Sequence, residues 1–455
     1  MADCCTDYTR SALMRQAVAE AGRGLPAIEP GMPIPAGTGL SRRNLLLRSV
    51  GLAVSVYGAS RLSPQAFDEG IAMAAAPNDP VLVSVFMDGG MDSLSLLAPT
   101  GDGLYQTRRP TLALPQGTGT SFSEDSRLEW APQASGLSTL HREGKLTVLP
   151  AVGYTSPNQS HFTSRHYWEV GATDAALRLG WMGRYLDRVG SDDNPLQGLT
   201  LSSALAPVLA TAAKPVAAVT RADAYTLDAP EVFDQPGVAF EGQMRETFGS
   251  LGRLPAATPA LSLARRITRQ SSDLHDQLAG FTEGGGATAY PSGTFPTRLE
   301  GLASMLGAGL PLRCVALEAA GGYDTHSNQA GAFAANVRLT CDSLLAFQRD
   351  LEQRGLANRV LTLVWSEFGR RPEENGSLGT DHGAAGAAFL MGTRARGTMV
   401  GEFPGLATLD PQQNLRATSD FRSLYCGLLE DWLGSSADGI IPGQGGLQRY
   451  NLIEP

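Results

Sequence analysis

The sequence predicts an α/β protein built on a mostly parallel sheet, and three observations carry that reading. Short, nearly continuous apolar runs recur along the chain, most of them end at or beside glycine, and stretches with helical spacing lie between them. The first run, "PVLVSVFMDGG" at 80–90, sets Val81, Leu82, Val83, Val85 and Phe86 before Asp88 and two glycines. A strand buried on both faces has this composition, because it has no solvent face on which polar residues could alternate. The pattern returns in "KLTVLPAVGY" (145–154), "RCVALEAAGGYDTH" (313–326) and "RVLTLVWSEFG" (359–369), with a weaker copy in "AAFLMG" (387–392). Open α/β sheets bind ligands beyond the carboxyl ends of their strands, and three of these runs lead directly into polar residues there.

Between the runs, 331–355 spaces Phe333, Val337, Leu344, Leu345, Phe347 and Leu351 as one helix would, with Gly355 placed to stop it. Residues 258–312 read as mostly helical, broken by "EGGGATAYPSG" (283–293), a lid-like loop. The Ala-, Pro- and Thr-rich stretch 181–240 shows no assignable element, and 181–300 reads as variable, lid-like insertion. At 455 residues and 42% hydrophobic the chain can bury a large core. Its formal charge of -9, without a basic stripe, argues against nucleic acid as a partner. Beyond Cys4 and Cys5, the three cysteines Cys314, Cys341 and Cys426 allow at most one disulfide and match no zinc spacing.

Residues 1–76 read as an export leader. Arg42 and Arg43 precede the modest apolar run "SVGLAVSVYGAS", and small residues at "IAMAAAPND" (71–79) offer cleavage after Ala74 or Ala76. The run falls short of the ~20 apolar residues a membrane span needs. This order resembles a twin-arginine signal, which implies the twin-arginine translocase as a partner during export. The part 77–455 is then one domain with a periplasmic, cell-envelope or extracellular destination.

Candidate ligands gather at the strand ends. Asp88 closes the first run at a Gly-Gly turn, with Asp92 four residues on. Asp324 and His326 in "GYDTHSNQ" (322–329) lie two apart; in an extended segment both point the same way and can face one metal. Glu367 ends the 359–366 run just before Gly369, Arg370 and Arg371, and Asp381 and His382 stand between glycines in "GTDHGAAG" (379–386). Each alone fits a polar turn, and Asp88 a helix cap. Together they make a candidate site for one or two divalent ions, since clustered carboxylates without a cation repel. Carboxylate and imidazole donors suit Zn, Mn, Mg or Ca. In "TSPNQSHFTSRHYWEVG" (155–171), Ser160 with the adjoining His161 is the candidate catalytic pair, at the start of a helix whose N–H groups face a bound anion. The alternative, equally open, is that Ser160 caps a helix whose His161 and His166 sit on an ordinary surface.

The blocks "VFMDGGMDSLSLLAPTGDGLYQTRRPTLALP", "SHFTSRHYWEVG", "GGYDTHSNQ" and "WSEFGRRPEENGSLGTDHG" resemble the signature blocks of DUF1501 proteins, in the alkaline phosphatase/sulfatase-like superfamily. The resemblance implies a three-layer α/β/α sandwich and one or two divalent metals. It also implies a hydroxyl nucleophile acting on a phosphate or sulfate ester of a small molecule or glycan. Asp88 and Glu367 then form one half-site and Asp324, His326 and His382 the other, with Asp381 orienting His382. The C/S-x-P-x-R motif of sulfatases does not occur. The second expectation is an exported protein that keeps the fold without turnover, for carbohydrate binding or envelope assembly.

The leader reading is tested directly: replacing Arg42 and Arg43 together by lysine leaves precursor in the cytoplasm, as fractionation and immunoblotting would detect. Unchanged delivery of the shortened chain outside the cytoplasm overturns it.

Overall fold

The computed structural model describes residues 32–37, 54–57, 79–191, 194–202, 204–219, 246–247, 249–258, 261, 265 and 288–454. Arg42, Arg43 and most of the expected leader lie outside the described residues, as do 283–287 of the expected loop. The chain divides into two compact units: Met1–Asp79, Ala176–Gly285 and Gly301–Ala316, and Pro80–Ala175, Gly286–Glu300 and Leu317–Pro455.

In the first unit, Gly198–Thr200 runs parallel to Val216–Val219 and to the start of the strand Cys314–Glu318, pairing Leu199 with Ala217 and Val315. Val54–Tyr57, within the expected leader, pairs antiparallel with Val216–Val219. The helix Trp181–Val189 buries Trp181, Met182, Tyr185 and Leu186.

The second unit holds the longer strands. Val81–Phe86 and Val360–Trp365 pair in parallel from Val81 opposite Val360 to Phe86 opposite Trp365, and every residue of both is buried. Gly386–Met391 runs antiparallel to Val360–Trp365 and to Leu146–Gly153, and Ser419–Asp420 runs parallel to the latter. Just past Glu318, the Ala319 N–H donates to Phe86 O at 2.8 Å, so this strand ends beside Val81–Phe86. All five apolar runs are strands and the pairing is mainly parallel, which is the α/β class the sequence predicts. The expected long helix spans Gln329–Gln353, with Phe333, Val337, Leu344, Phe347 and Leu351 buried, and Gly355 follows at φ +71°. No helix of the described residues is long and apolar enough to cross a membrane.

Strand ends position the site. After Phe86 the chain turns at Gly89 (φ +110°) and Gly90 (φ +68°), backbone angles that L side chains rarely adopt. A Cβ on Gly89 would lie 2.4 Å from Asp324 N, and one on Gly90 2.3 Å from the Phe368 ring. The turn is therefore where the loops after three strands touch. Beyond it, a two-stranded ribbon, Arg370–Glu374 with Thr380–His382, sets Arg370 opposite His382.

A buried polar network ties these loops together. Asp92 and Arg109 are both fully buried and form a bidentate pair at 2.6 and 3.0 Å. Asp92 also accepts from Ser95 Oγ and from Gln329 Nε2, each at 2.6 Å. Arg109 donates onward to Pro372 O and Arg371 O on the ribbon, both at 2.9 Å, and Gln329 Oε1 accepts from Thr325 and Thr380 hydroxyls. Burial pushes the Asp92 carboxyl up, but Arg109 with the hydrogen bonds from Ser95 and Gln329 outweighs burial and holds it below 3.8.

Two outcomes follow. Gly89→Ala combines the backbone strain with a clash and should destabilise by about 2–4 kcal/mol, against about 1 kcal/mol for Gly144→Ala, whose φ is +68° with nothing within 4 Å. Urea denaturation measures both, and equal costs would sink the close-approach argument. Asp92→Asn leaves a buried guanidinium without its counter-charge and should cost about 3–5 kcal/mol at neutral pH. Because the folded pKa is depressed, the stability from Asp92 is present above its unfolded value and lost as pH falls through the folded one. The gap between wild type and Asp92→Asn should therefore narrow below pH 3.8, and a constant gap would contradict the assignment.

Candidate metal centre

His161 is the first residue of the helix His161–Val170, capped by Ser160, whose hydroxyl accepts the Thr163 N–H at 3.4 Å. One turn on, Ser164 Oγ donates to Glu367 O at 2.6 Å and fastens the helix to the end of Val360–Trp365. His161 is 1% exposed and its Nδ1 lies 2.6 Å from Glu367 Oε1. Glu367, itself fully buried, accepts from the Gly89 N–H at 3.1 Å. Burial would raise Glu367; the hydrogen bond and charge of His161 outweigh it and keep the carboxyl below its ordinary range. Glu367 is thus an acceptor, His161 Nδ1 carries the proton, and Nε2 faces the other way.

That direction is toward Asp324. Asp324 Oδ1 lies 3.0 Å from His326 Nε2, 3.4 Å from His382 Nε2 and 3.5 Å from His161 Nε2. His382 Nδ1 sits 2.8 Å from Gln159 O, an acceptor only, so its proton is there and Nε2 is bare. His326 Nδ1 is 3.5 Å from Asp381 Oδ1, and its Nε2 accepts from Arg370 Nη1 at 3.3 Å. His326 Nε2 and His382 Nε2 stand 2.9 Å apart. Phe368 packs against the rings of His161 and His382, with centroids 4.8 and 4.9 Å away.

Lone pairs facing one another at these distances repel unless a positive charge lies between them. Burial would raise the Asp324 carboxyl, but the surrounding His161, His326 and His382 imidazoles, with the Arg370 charge, carry it far below the usual range. The ligand atoms of His161, Asp324 and His382 all lie within 4.8 Å of one another. A tetrahedral ion with bonds of 2.0–2.1 Å separates its donors by about 3.3 Å, close to the spacings here. Imidazoles tied at Nδ1 and presented through Nε2 are the arrangement metal-ligating histidines adopt. The residues fit a small divalent cation.

The residues expected from sequence divide accordingly. Asp324, His326 and His382 come together as expected. Glu367 stands behind His161, and Asp381 stands behind His326 while Gln159 O holds His382. Asp381 is kept below its ordinary range, the hydrogen bonds from Asn375 and His326 outweighing burial. Asp88 faces Arg165 at 3.7 Å and is outside the His161, Asp324 and His382 group. Ser160 caps its helix, the alternative held open for it; His161 and His166, 1% exposed each, are not surface residues. The ligand missed from sequence is His161, whose signal was its place at the first turn of a helix just after an apolar strand.

Comparisons with known proteins add the following. None of the curated proteins matches the chain. Among solved structures, the C-terminal periplasmic domain of EcEptC from Escherichia coli aligns over 82% of this chain and 88% of its own, at 10% identity and TM-score 0.35; it is also known in complex with Zn. PsFucS1 sulfatase from Pseudoalteromonas sp. aligns over 82% and 71% at 11% identity and TM-score 0.33. The lipoteichoic acid synthase LtaP from Listeria monocytogenes aligns over 80% and 74% at 9% identity and TM-score 0.28. These likenesses are loose, and the architecture above rests on the chain's own strands. The segment 269–423, which carries Asp324, His326, Glu367, Arg370, Asp381 and His382, matches the family "Protein of unknown function (DUF1501)".

Proposed function

We propose that this chain is an exported, divalent-metal-dependent hydrolase of phosphate or sulfate esters, with the ion held by His161, Asp324 and His382 and with His326 beside it. The observation that carries the reading is the convergence of three imidazole Nε2 atoms on one carboxylate oxygen, at 3.0 to 3.5 Å. A single proton could satisfy one of these contacts; a divalent ion satisfies the His161, Asp324 and His382 donors together. Nitrogen-rich donation favours zinc over the hard cations Mg and Ca. When bound, such an ion supplies a Lewis acid that polarises a phosphoryl or sulfuryl oxygen.

The chain's own residues supply the rest. Glu367, Asp381 and Gln159 face Nδ1 of the three imidazoles and turn each Nε2 toward Asp324. Phe368 walls one side of the centre against water. Ser160, adjoining His161, is the candidate attacking hydroxyl; its oxygen accepts the Thr163 N–H of its own helix. The net reaction consumes water and releases an alcohol with phosphate or sulfate. The absence of the sulfatase motif favours a second reading, a metal-holding binding protein without turnover, and the assays separate the two.

Calorimetric titration of metal-free protein with zinc should show tight binding that His382→Ala and Asp324→Asn abolish, and chelation should lower Tm. Asp381→Asn and Glu367→Gln, which change what stands behind an imidazole, should weaken binding about 10- to 100-fold. Zinc binding unchanged in Asp324→Asn would overturn the centre. Ser160→Ala should abolish turnover on a panel of aryl phosphates and sulfates while leaving zinc affinity intact. Zinc bound with no turnover by wild type on any ester would leave the binding-protein reading standing.

A further inference from the structure

The centre contains a cation of its own. Arg370 has a side chain with no solvent exposure, and its guanidinium reaches the same atoms that would hold an ion. Nη2 donates to Asp324 Oδ1 at 2.5 Å, and Nη1 to His326 Nε2 at 3.3 Å. The remaining donors are fixed by backbone: Nε to Gly90 O at 2.7 Å, Nη1 to Thr380 O at 2.9 Å, and Nη2 to Gly89 O and Tyr323 O. All five N–H groups are engaged, so the guanidinium is locked in place and has none left for a substrate.

The carboxylates that a second ion would need are engaged elsewhere. Asp88 faces Arg165. Glu367 is taken by His161 Nδ1 and the Gly89 N–H. Asp381 is taken by Asn375 Nδ2 at 3.1 Å and faces His326 Nδ1, not Nε2. Charge leads to the same count. Three carboxylates, Asp324, Glu367 and Asp381, surround the histidines; one dication and one guanidinium neutralise them, whereas two dications beside Arg370 leave an excess of positive charge in a half-buried place.

We infer that the centre takes a single divalent ion, with Arg370 standing as a fixed positive charge where a two-ion site would hold its second metal. This rests on the metal reading proposed above. Arg370 is then a positioning residue. It holds the Asp324 oxygen between itself and the ion and keeps the site organised before an ion arrives. A like charge so near also lowers the ion's affinity.

Zinc titration of the full chain by calorimetry, with elemental analysis of the purified protein, tests this. Wild type should saturate at one equivalent that Asp324→Asn removes. Two equivalents, both lost in Asp324→Asn, would overturn the inference while leaving the metal centre intact; no Asp324-dependent zinc at all would overturn the metal reading and this inference with it. Arg370→Gln removes the neighbouring charge and should bind zinc at least about tenfold more tightly at low salt, or admit a second equivalent. Arg370→Lys keeps a charge there and should stay near wild type. Weaker zinc binding in a folded Arg370→Gln would show that the arginine only holds Asp324 in place, and would overturn its role as the second charge. Should Arg370→Gln fail to fold, the wild-type stoichiometry and Arg370→Lys decide: a lysine variant that gains a second equivalent overturns the inference.

Discussion

The buried pair of Asp92 and Arg109 is the interaction on which the rest of the site depends. An ion pair out of water is favourable only when its remaining hydrogen-bonding capacity is met, and here it is met by the segments that carry the site. Arg109 ends on two carbonyls of the ribbon that bears Arg370 and His382. Gln329, on Asp92, reaches the Thr325 and Thr380 hydroxyls beside Asp324 and Asp381. Loops of this kind bury little apolar surface, so hydrophobic burial cannot fix their positions. A closed polar network can, because any displacement leaves a buried group unpaired. The Gly89–Gly90 turn completes the constraint by letting the Asp324 loop and Phe368 approach backbone to within contact.

Much of the fold was legible because buried parallel strands have a simple signature. Val81–Phe86 and Val360–Trp365 have no exposed face, so their sequences are unbroken apolar runs and their ends fall at glycine or a polar residue. The long helix was legible from its spacing: five of its six predicted apolar positions are buried, and Leu345 alone is half-buried. Other elements left no pattern to read. Gly198–Thr200 and Val216–Val219 are three and four residues long and rich in small residues, too short for a period to show. The ribbon 370–382 is charged along its length; its pairing follows from the loop contacts of Arg370 and Asn375, which no local rule reports.

The site was legible in its carboxylates and two of its histidines, since they follow strands directly. Roles within it were harder, because adjacency in sequence does not tell which way a side chain faces in a ribbon or which backbone group meets it. Asp381 precedes His382, yet successive residues of a strand point to opposite faces, so it stands behind His326 instead. Gln159 serves His382 through its backbone oxygen, a group every residue owns, and nothing in a side-chain pattern can single it out. Asp88 was assigned from its strand end, and the Arg165 side chain that takes it comes from a helix one turn beyond His161. Arg370 carried no signal either: its role comes from carbonyls of three other segments.

The donors of the centre come from segments far apart in the chain, so an unfolded chain cannot offer the same set to an ion. Binding free energy is therefore folding free energy as well. Small metal domains follow this to the limit and do not fold without the ion. The present site is arranged differently. Arg370 already answers part of the negative charge of Asp324, Asp92 is neutralised by Arg109, and the strands beneath are buried whether or not an ion is present. An ion then adds stability to a fold that stands on its own, and the imidazoles wait with their Nε2 atoms turned inward. Pre-organisation of this sort shifts the burden of selectivity onto the spacing of the donor atoms of His161, Asp324 and His382, which the Asp92 network and the glycine turn hold in place.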